Sequence, residues 1–400
     1  MTDHPVLSQI ALGHAPMIDR HRAVTALRLT VFPSRADRVP DVPGLLAVLD
    51  EAWPAEAGRL ALNVVGEALV AQMLQAPLAP HLMLEVPAFM AGTPEQVAQI
   101  AALYKRGNSL MVKGRPLAPL PREVLPYFAY SIIDLADERR EGLPPPGGAT
   151  RSIPHVQSGV QNFEEMAEAF RRGAIAVLGW PLGEPLTRPV ATAGPGQAQL
   201  QAVVELINRV DRSEPVERLE AVMKNDPTMA YRLLRYINSP AFGLSVEISS
   251  FGHAIMLLGY QRLKRWLVLL LATSQRSPDL KPVAHAAVRR GLVMEELGRA
   301  TEADDARRGE LFICGVFSLL DRLLGQPMAD LLDSVPTSQL VRDALVREDG
   351  PLAPYLALAR AIEGGTGLDI QAAGDGLMLP LAAVNRATLR ALRAARQLDA

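Results

Sequence analysis

The sequence predicts an α/β domain followed by an all-helical one, and three observations carry that prediction. At 400 residues the chain exceeds the size at which a single hydrophobic core keeps growing, so two domains are expected. Before residue 187 short apolar runs alternate with helical stretches, whereas after residue 197 nearly every periodic stretch has helical spacing. Between them, Thr187 to Gln197 combines small residues, glycine and proline without apolar periodicity, which is the profile of a linker. The expected organisation is therefore a domain over 1–186, a linker over 187–197 and a helical domain over 198–400.

In the first domain the apolar runs Ala26 to Phe32, Leu60 to Val65, Leu82 to Val86, Ser109 to Val112, Ile132 to Leu135 and Ile175 to Leu178 are the expected strands. Helices are expected among them, at Val97 to Tyr104 and Phe163 to Arg171. Strand–helix alternation of this kind builds a parallel sheet, which can close into a small barrel. Pro116 to Pro121 and Leu143 to Gly148 are too rich in proline to continue helices or central strands, and are expected as loops.

The second domain is punctuated by capping signals. The apolar stripe Leu219, Val222 and Met223 stops at Asp226-Pro227, where a carboxylate N-cap with proline in the first turn starts a new helix. That helix carries Met229, Leu233, Leu234 and Ile237 on one side and ends at Asn238-Ser239-Pro240, because the residue before proline is pushed out of the α region. Ser249-Ser250 can cap the next segment, which leads to Gly259. The final stretch, 377–398, has Leu381, Val384, Leu389 and Leu392 opposite a basic face and is expected as a solvated amphipathic helix.

Composition narrows the function classes. An apolar fraction of 49% against 21% charged is that of a globular protein, and the net charge of −2 gives no electrostatic footprint for nucleic acid. The single Cys314 cannot form an intramolecular disulfide or a thiolate zinc site, and its neighbours Ile313 and Val316 mark it as a small buried hydrophobe. The chain opens without a basic start followed by an apolar core, and its most apolar run, near Trp266 to Ala272, is too short to span a bilayer. A cytoplasmic protein with no membrane insertion and no cofactor is expected.

Asn225-Asp226-Pro227, the corner Leu233-Leu234-Arg235-Tyr236-Ile237-Asn238-Ser239-Pro240, Ile248-Ser249-Ser250 and the Gly259-x-x-Arg262-Leu263 turn together resemble the HDOD domain, an all-helical relative of HD-type metal phosphohydrolases found in bacterial signalling proteins. The resemblance covers roughly 195–365. HD enzymes hold metal with a His-Asp pair and further histidines, but no His-Asp dipeptide occurs anywhere in this chain. Where relatives with the pair carry it, this sequence has Ser318-Leu319, and only His253 and His285 remain in this half. The resemblance thus implies a helical domain without its ancestral metal site. Its candidate partner-binding surface comprises Arg232, Arg235, Tyr236, Asn238, Arg262, Lys264 and Arg265, residue types suited to interfaces.

The first half resembles a degenerate EAL domain, a β/α barrel that in active relatives hydrolyses cyclic di-GMP with two metal ions. The matching pieces are Arg59 to Val64, Leu82 to Val86, Gly159-Val160 with Phe163 to Gly173, and Gly179-Trp180-Pro181-Leu182. Carried over by those motifs, the signature Glu-Ala-Leu becomes Arg28-Leu29-Thr30, while Asn63 is retained. The next carboxylate position falls at Ala88, three residues after Glu85, and the Asp-Asp pair becomes Lys113-Gly114. The Lys-x-Asp strand falls near Asp134, the Glu-Gly-Val-Glu loop becomes Ser158-Gly159-Val160-Gln161, and a glutamine becomes Leu178. One retained neutral ligand does not hold two divalent cations. The resemblance therefore implies a signalling protein that is not an enzyme and that binds a protein partner, the alternative being a sensor that binds cyclic di-GMP or another nucleotide without hydrolysing it.

Overall fold

The computed structural model describes residues 4–116, 119–140, 153–183, 195–224, 251–273, 278–334 and 337–399. Two compact units emerge, one of residues 1–184 with 357–393 and the other of 185–356 with 394–400.

The first unit is built on a closed eight-stranded barrel in which strands follow chain order: β1 (Ile10–Asp19), β2 (Val24–Pro33), β3 (Leu60–Val64), β4 (Leu82–Pro87), β5 (Leu110–Lys113), β6 (Phe128–Asp134), β7 (His155–Ser158) and β8 (Ala176–Leu178). β1 runs antiparallel to both neighbours, β2 and β8, and every other pairing is parallel. Helices α1 (Val42–Ala52), α2 (Glu67–Gln75), α3 (Pro94–Lys105), α4 (Leu135–Arg140) and α5 (Phe163–Arg171) connect the parallel strands. Parallel strands covered on both faces read as continuous apolar runs, which is why six of the eight were visible in the sequence. β1 was not among them because Gly13 and Pro16 interrupt its pattern, and β7 was not because His155, Gln157 and Ser158 are polar although all are buried. The β1–β2 connection is closed by Asp19, whose Oδ1 accepts the N–H groups of His21 and Ala23 at 2.8 and 2.9 Å.

Alternation along the strands divides the barrel's apolar residues into two cores. Met17, Ala26, Ala61, Met83, Met111, Ile132, Val156, Ala176 and Leu178 fill the interior. Outward residues such as Leu29, Leu62, Leu84 and Val86 pack against the surrounding helices.

The helical unit contains α6 (Pro195–Asp211), α7 (Val216–Lys224), α8 (Phe251–Thr273), α9 (Lys281–Ala300), α10 (Asp305–Phe317), α11 (Leu320–Leu324), α12 (Met328–Ser334) and α13 (Gln339–Arg342). The linker expected over 187–197 gives way to helix at Pro195, whose fixed φ suits a first turn. The helix start at Asp226-Pro227, the corner ending at Pro240 and the cap at Ser249-Ser250 lie outside the described residues. Gly259 breaks α8 with φ 69° and ψ 166°, a conformation that favours glycine. Cys314 is fully buried. At the α9–α10 crossing a Cβ on Gly315 would stand 2.6 Å from Gly291 Cα, so only paired glycines allow this approach.

The C-terminal helices α14 (Ala353–Gly364), α15 (Gly367–Gly376) and α16 (Leu381–Asp399) follow. Within the first unit a Cβ on Gly367 would lie 2.7 Å from the Phe32 side chain of β2. Asn385 of α16 is completely buried; its Oδ1 accepts the Leu12 N–H at 3.0 Å, and its Nδ2 donates to Leu7 and Ile10 carbonyls at 2.8 Å each. Leu389 and Leu392 join the outer barrel core. The solvated amphipathic helix expected at 377–398 is corrected accordingly: its apolar stripe is covered by the barrel, because a stripe this wide is stabilised only when buried. Among the described residues, no helix is long and apolar enough to cross a membrane.

Candidate functional site

One layer above the apolar plug, at the end where the parallel strands finish, the inward positions turn polar. Arg28 comes from β2, Asn63 from β3, Glu85 from β4, Lys113 from β5, Asp134 from β6 and Ser158 from β7. The period-two alternation that aims Ala26, Ala61, Met83, Met111, Ile132 and Val156 into the interior aims each of these residues the same way, two positions further along its strand. In barrels of parallel strands this end is where binding and chemistry reside.

Two linked pairs form the floor. Arg28 makes a bidentate ion pair with Glu85, Nε to Oε1 and Nη2 to Oε2, both at 2.6 Å. Their side chains are 15% and 1% exposed. Burial opposes the Arg28 charge, but the Glu85 carboxylate outweighs it and holds the guanidinium above its ordinary range. Lys113 Nζ donates to Asn63 Oδ1 at 2.9 Å, and Asn63 Nδ2 donates to Thr30 Oγ1 at 3.2 Å. Burial, helped by the neighbouring Arg28 charge, pushes the Lys113 ammonium below its ordinary range against the pull of Glu85, Asp134 and Asp137. On the far side Ser158 Oγ donates to Asp134 Oδ2 at 3.1 Å, while Asp134 Oδ1 accepts the Ala136 N–H at 2.9 Å. Gly159 sits against that carboxylate with φ 78°, where a Cβ would come within 2.8 Å of Asp134 Oδ1.

The other barrel positions singled out in the sequence are placed less centrally. Ala88 is buried and donates its N–H to the Lys113 carbonyl at 2.8 Å. Gly114 has φ 84° and donates to the Ile132 carbonyl. The Gln161 N–H is held by Glu165 Oε2 at 2.8 Å, and Leu178 lies in the interior plug. Beside Ala88, sequence reasoning missed Phe89, which is 62% exposed at the same end of the barrel as Lys113. A lone aromatic after a strand carries no periodic signal, so only exposure distinguishes it.

A two-metal centre does not fit this donor set. Both Glu85 oxygens are taken by Arg28, the Asn63 carbonyl oxygen by Lys113, and Asp134 by Ser158 and its own following turn. Among the described residues no group of three or more His, Cys, Asp or Glu is arranged to hold a metal ion. A divalent cation about 4 Å from the Lys113 ammonium would face about 8 kcal/mol of repulsion at an effective dielectric of about 20.

In the helical unit Ser318 is buried; its Oγ accepts from Arg290 Nη1 at 2.8 Å and donates to the Gly315 carbonyl at 2.7 Å, and Leu319 beside it is buried. Of the candidate surface, Arg262 is exposed. Lys264 pairs with Asp211, and Arg265 pairs with Glu295 while stacking on Phe312 at 4.2 Å. Arg232, Arg235, Tyr236 and Asn238 lie outside the described residues.

Residues 198–329 match the HDOD domain family. The cyclic di-GMP phosphodiesterase CdgJ of Vibrio cholerae is 25% identical over 291 residues, 71% of this chain and 66% of that protein. The uncharacterized protein YuxH of Bacillus subtilis is 24% identical over 295 residues, 71% of each chain. The chain thus spans about two thirds of the length of the curated relatives it matches. Among solved structures, the PaMucR phosphodiesterase in its cyclic di-GMP complex matches 44% of this chain and 96% of that chain, with 16% identity and a TM-score of 0.30. The expectation that the chain is not an enzyme is corrected here, because a relative matched across most of this chain is named a phosphodiesterase. That expectation rested on comparing one set of two-metal ligands position by position, and the loss of such a set excludes a mechanism rather than a reaction. Residues 198–329 are an HDOD domain, and the chain joins it to an N-terminal closed eight-stranded α/β barrel.

Proposed function

We propose that this chain is a cyclic di-GMP signalling protein whose barrel mouth recognises the cyclic dinucleotide and whose HDOD domain carries the contact with a protein partner. The observation behind the first half is Lys113, a partly exposed ammonium above an apolar plug with one of its three N–H groups given to Asn63. An ammonium held in a half-buried mouth suits a phosphodiester, since charge-assisted hydrogen bonds strengthen where water is thinned. The exposed Phe89 ring at the same end suits a nucleobase, because every base presents a face for stacking. The name of CdgJ supports the same ligand class.

Calorimetry on the purified full-length chain tests this reading. Saturable binding of cyclic di-GMP in the micromolar range is expected, and chromatography of the same samples for linear dinucleotide reports turnover. Neither heat nor product at millimolar nucleotide would refute recognition at the mouth. For the partner, Arg262 is the exposed cation of the described surface, whereas Lys264 and Arg265 are engaged within their own unit. Recovery of a partner from native lysate should fall with Arg262→Glu and Arg232→Glu/Arg235→Glu. Undiminished recovery with both variants would move the contact elsewhere.

A further inference from the structure

The floor of the barrel mouth holds two cations, and they are used differently. Arg28 spends Nε and Nη2 on Glu85, so that pair is neutral and closed. Lys113 gives one N–H to the neutral Asn63 amide and is not ion-paired with any carboxylate at hydrogen-bond distance among the described residues. It is therefore the positive charge the floor presents to a ligand, with the Asp134 carboxylate held on the far side by Ser158 and the Ala136 N–H. Asn63 is itself fixed by Thr30, so the ammonium is held by a preset acceptor.

Position matters as much as charge. Lys113 ends β5, and its own carbonyl holds the Ala88 N–H, which fixes the backbone that leads into Phe89. Gly114 follows with a positive φ, ending the strand immediately after the lysine. Cation and aromatic ring are thereby tied to adjacent, hydrogen-bonded strand ends. The donor set that rejects a divalent ion is the same set that leaves this ammonium available.

We propose that Lys113, steadied by Asn63 and set beside the neutral Arg28–Glu85 pair, does at this mouth what a divalent cation does elsewhere, so that a phosphodiester is bound without metal. This rests on the reading of the mouth as a cyclic dinucleotide site. The barrel's ligand is then a nucleotide whose phosphate meets a side-chain ammonium directly and whose base lies toward Phe89. No bond is made or broken in this step.

The test titrates cyclic di-GMP into the full-length chain by calorimetry, once in excess EDTA and once in manganese. Affinities within about threefold of each other are expected. Lys113→Met should weaken binding roughly tenfold to a hundredfold, the range of a lost charge-assisted hydrogen bond, and Lys113→Arg should recover most of it. A melting curve shows whether Lys113→Met folds; the EDTA arm needs no variant and stands even if that protein is lost. Binding seen only with manganese would overturn the proposal while leaving nucleotide recognition intact. Unchanged binding by a folded Lys113→Met in EDTA would overturn it too. Absence of binding in both buffers would refute the recognition reading, and this inference with it.

Discussion

Glu85 and Lys113 show how differently a buried charge and a half-buried one behave in one pocket. Glu85 is almost completely enclosed and both its oxygens serve Arg28, so removing it strands a guanidinium with little access to water. Breaking a buried pair from one side typically costs about 3–5 kcal/mol, and Glu85→Ala should lower the unfolding free energy read from a urea titration by that amount; a loss under about 1 kcal/mol would show the pair to be effectively solvated. The Lys113 ammonium is pushed below its ordinary range by burial and by Arg28, despite Glu85, Asp134 and Asp137. Between its lowered folded value and about 10.4, the unfolded chain holds more protons than the folded one, so stability from this group rises with pH across that window. Affinity for an anionic ligand should fall across the same window, as the ammonium loses its proton. Calorimetric affinity followed from pH 7 to 10 should therefore decline before an ordinary lysine would titrate, and the decline should vanish in Lys113→Arg.

At the scale of elements the instructive case is α16. Its apolar stripe Leu381, Val384, Leu389 and Leu392 was plain in the sequence, and so was its helical spacing. Asn385 was not, because a polar residue between apolar ones reads as the edge of a wet face. In the structure it satisfies three backbone groups of Leu7, Ile10 and Leu12, more than 370 residues away in sequence. No local pattern encodes a hydrogen bond across that separation. Asn385→Ala would leave an N–H and two carbonyls buried without those partners, each costing about 1–3 kcal/mol, so a loss of at least about 3 kcal/mol is expected by denaturant titration. Near-wild-type stability would mean that water replaces the amide. The site residues divide in the same way. Arg28, Asn63, Glu85 and Lys113 were legible as positions on strands of known period, and the structure gathers all four at one strand end. Their pairing was not legible, since Arg28–Glu85 and Lys113–Asn63 join strands two apart in the barrel order, and register across a barrel is a property of closure.

For the whole chain, composition suggests one boundary near 187–197, whereas the chain divides into 1–184 with 357–393 and 185–356 with 394–400. Composition marks where a segment loses periodicity, but it does not record that residues 357–393 belong with 1–184. In sequence, then, residues 185–356 interrupt a unit that begins with the barrel strands and is completed by the last helices. A fragment stopped at residue 186 would lack Asn385, Leu389 and Leu392, leaving part of the outer core and the start of β1 uncovered. Exposed apolar surface next to unpaired strand groups favours association over folding. The fragment 1–186 should accordingly be recovered mainly as aggregate, whereas 1–184 joined through a flexible Gly/Ser linker to 357–393 should be monomeric and show a cooperative melt. The comparison is by size-exclusion chromatography and thermal circular dichroism of the two proteins side by side. Should the shorter fragment prove equally monomeric and equally cooperative, the returning helices would be an ornament on a barrel that is complete without them.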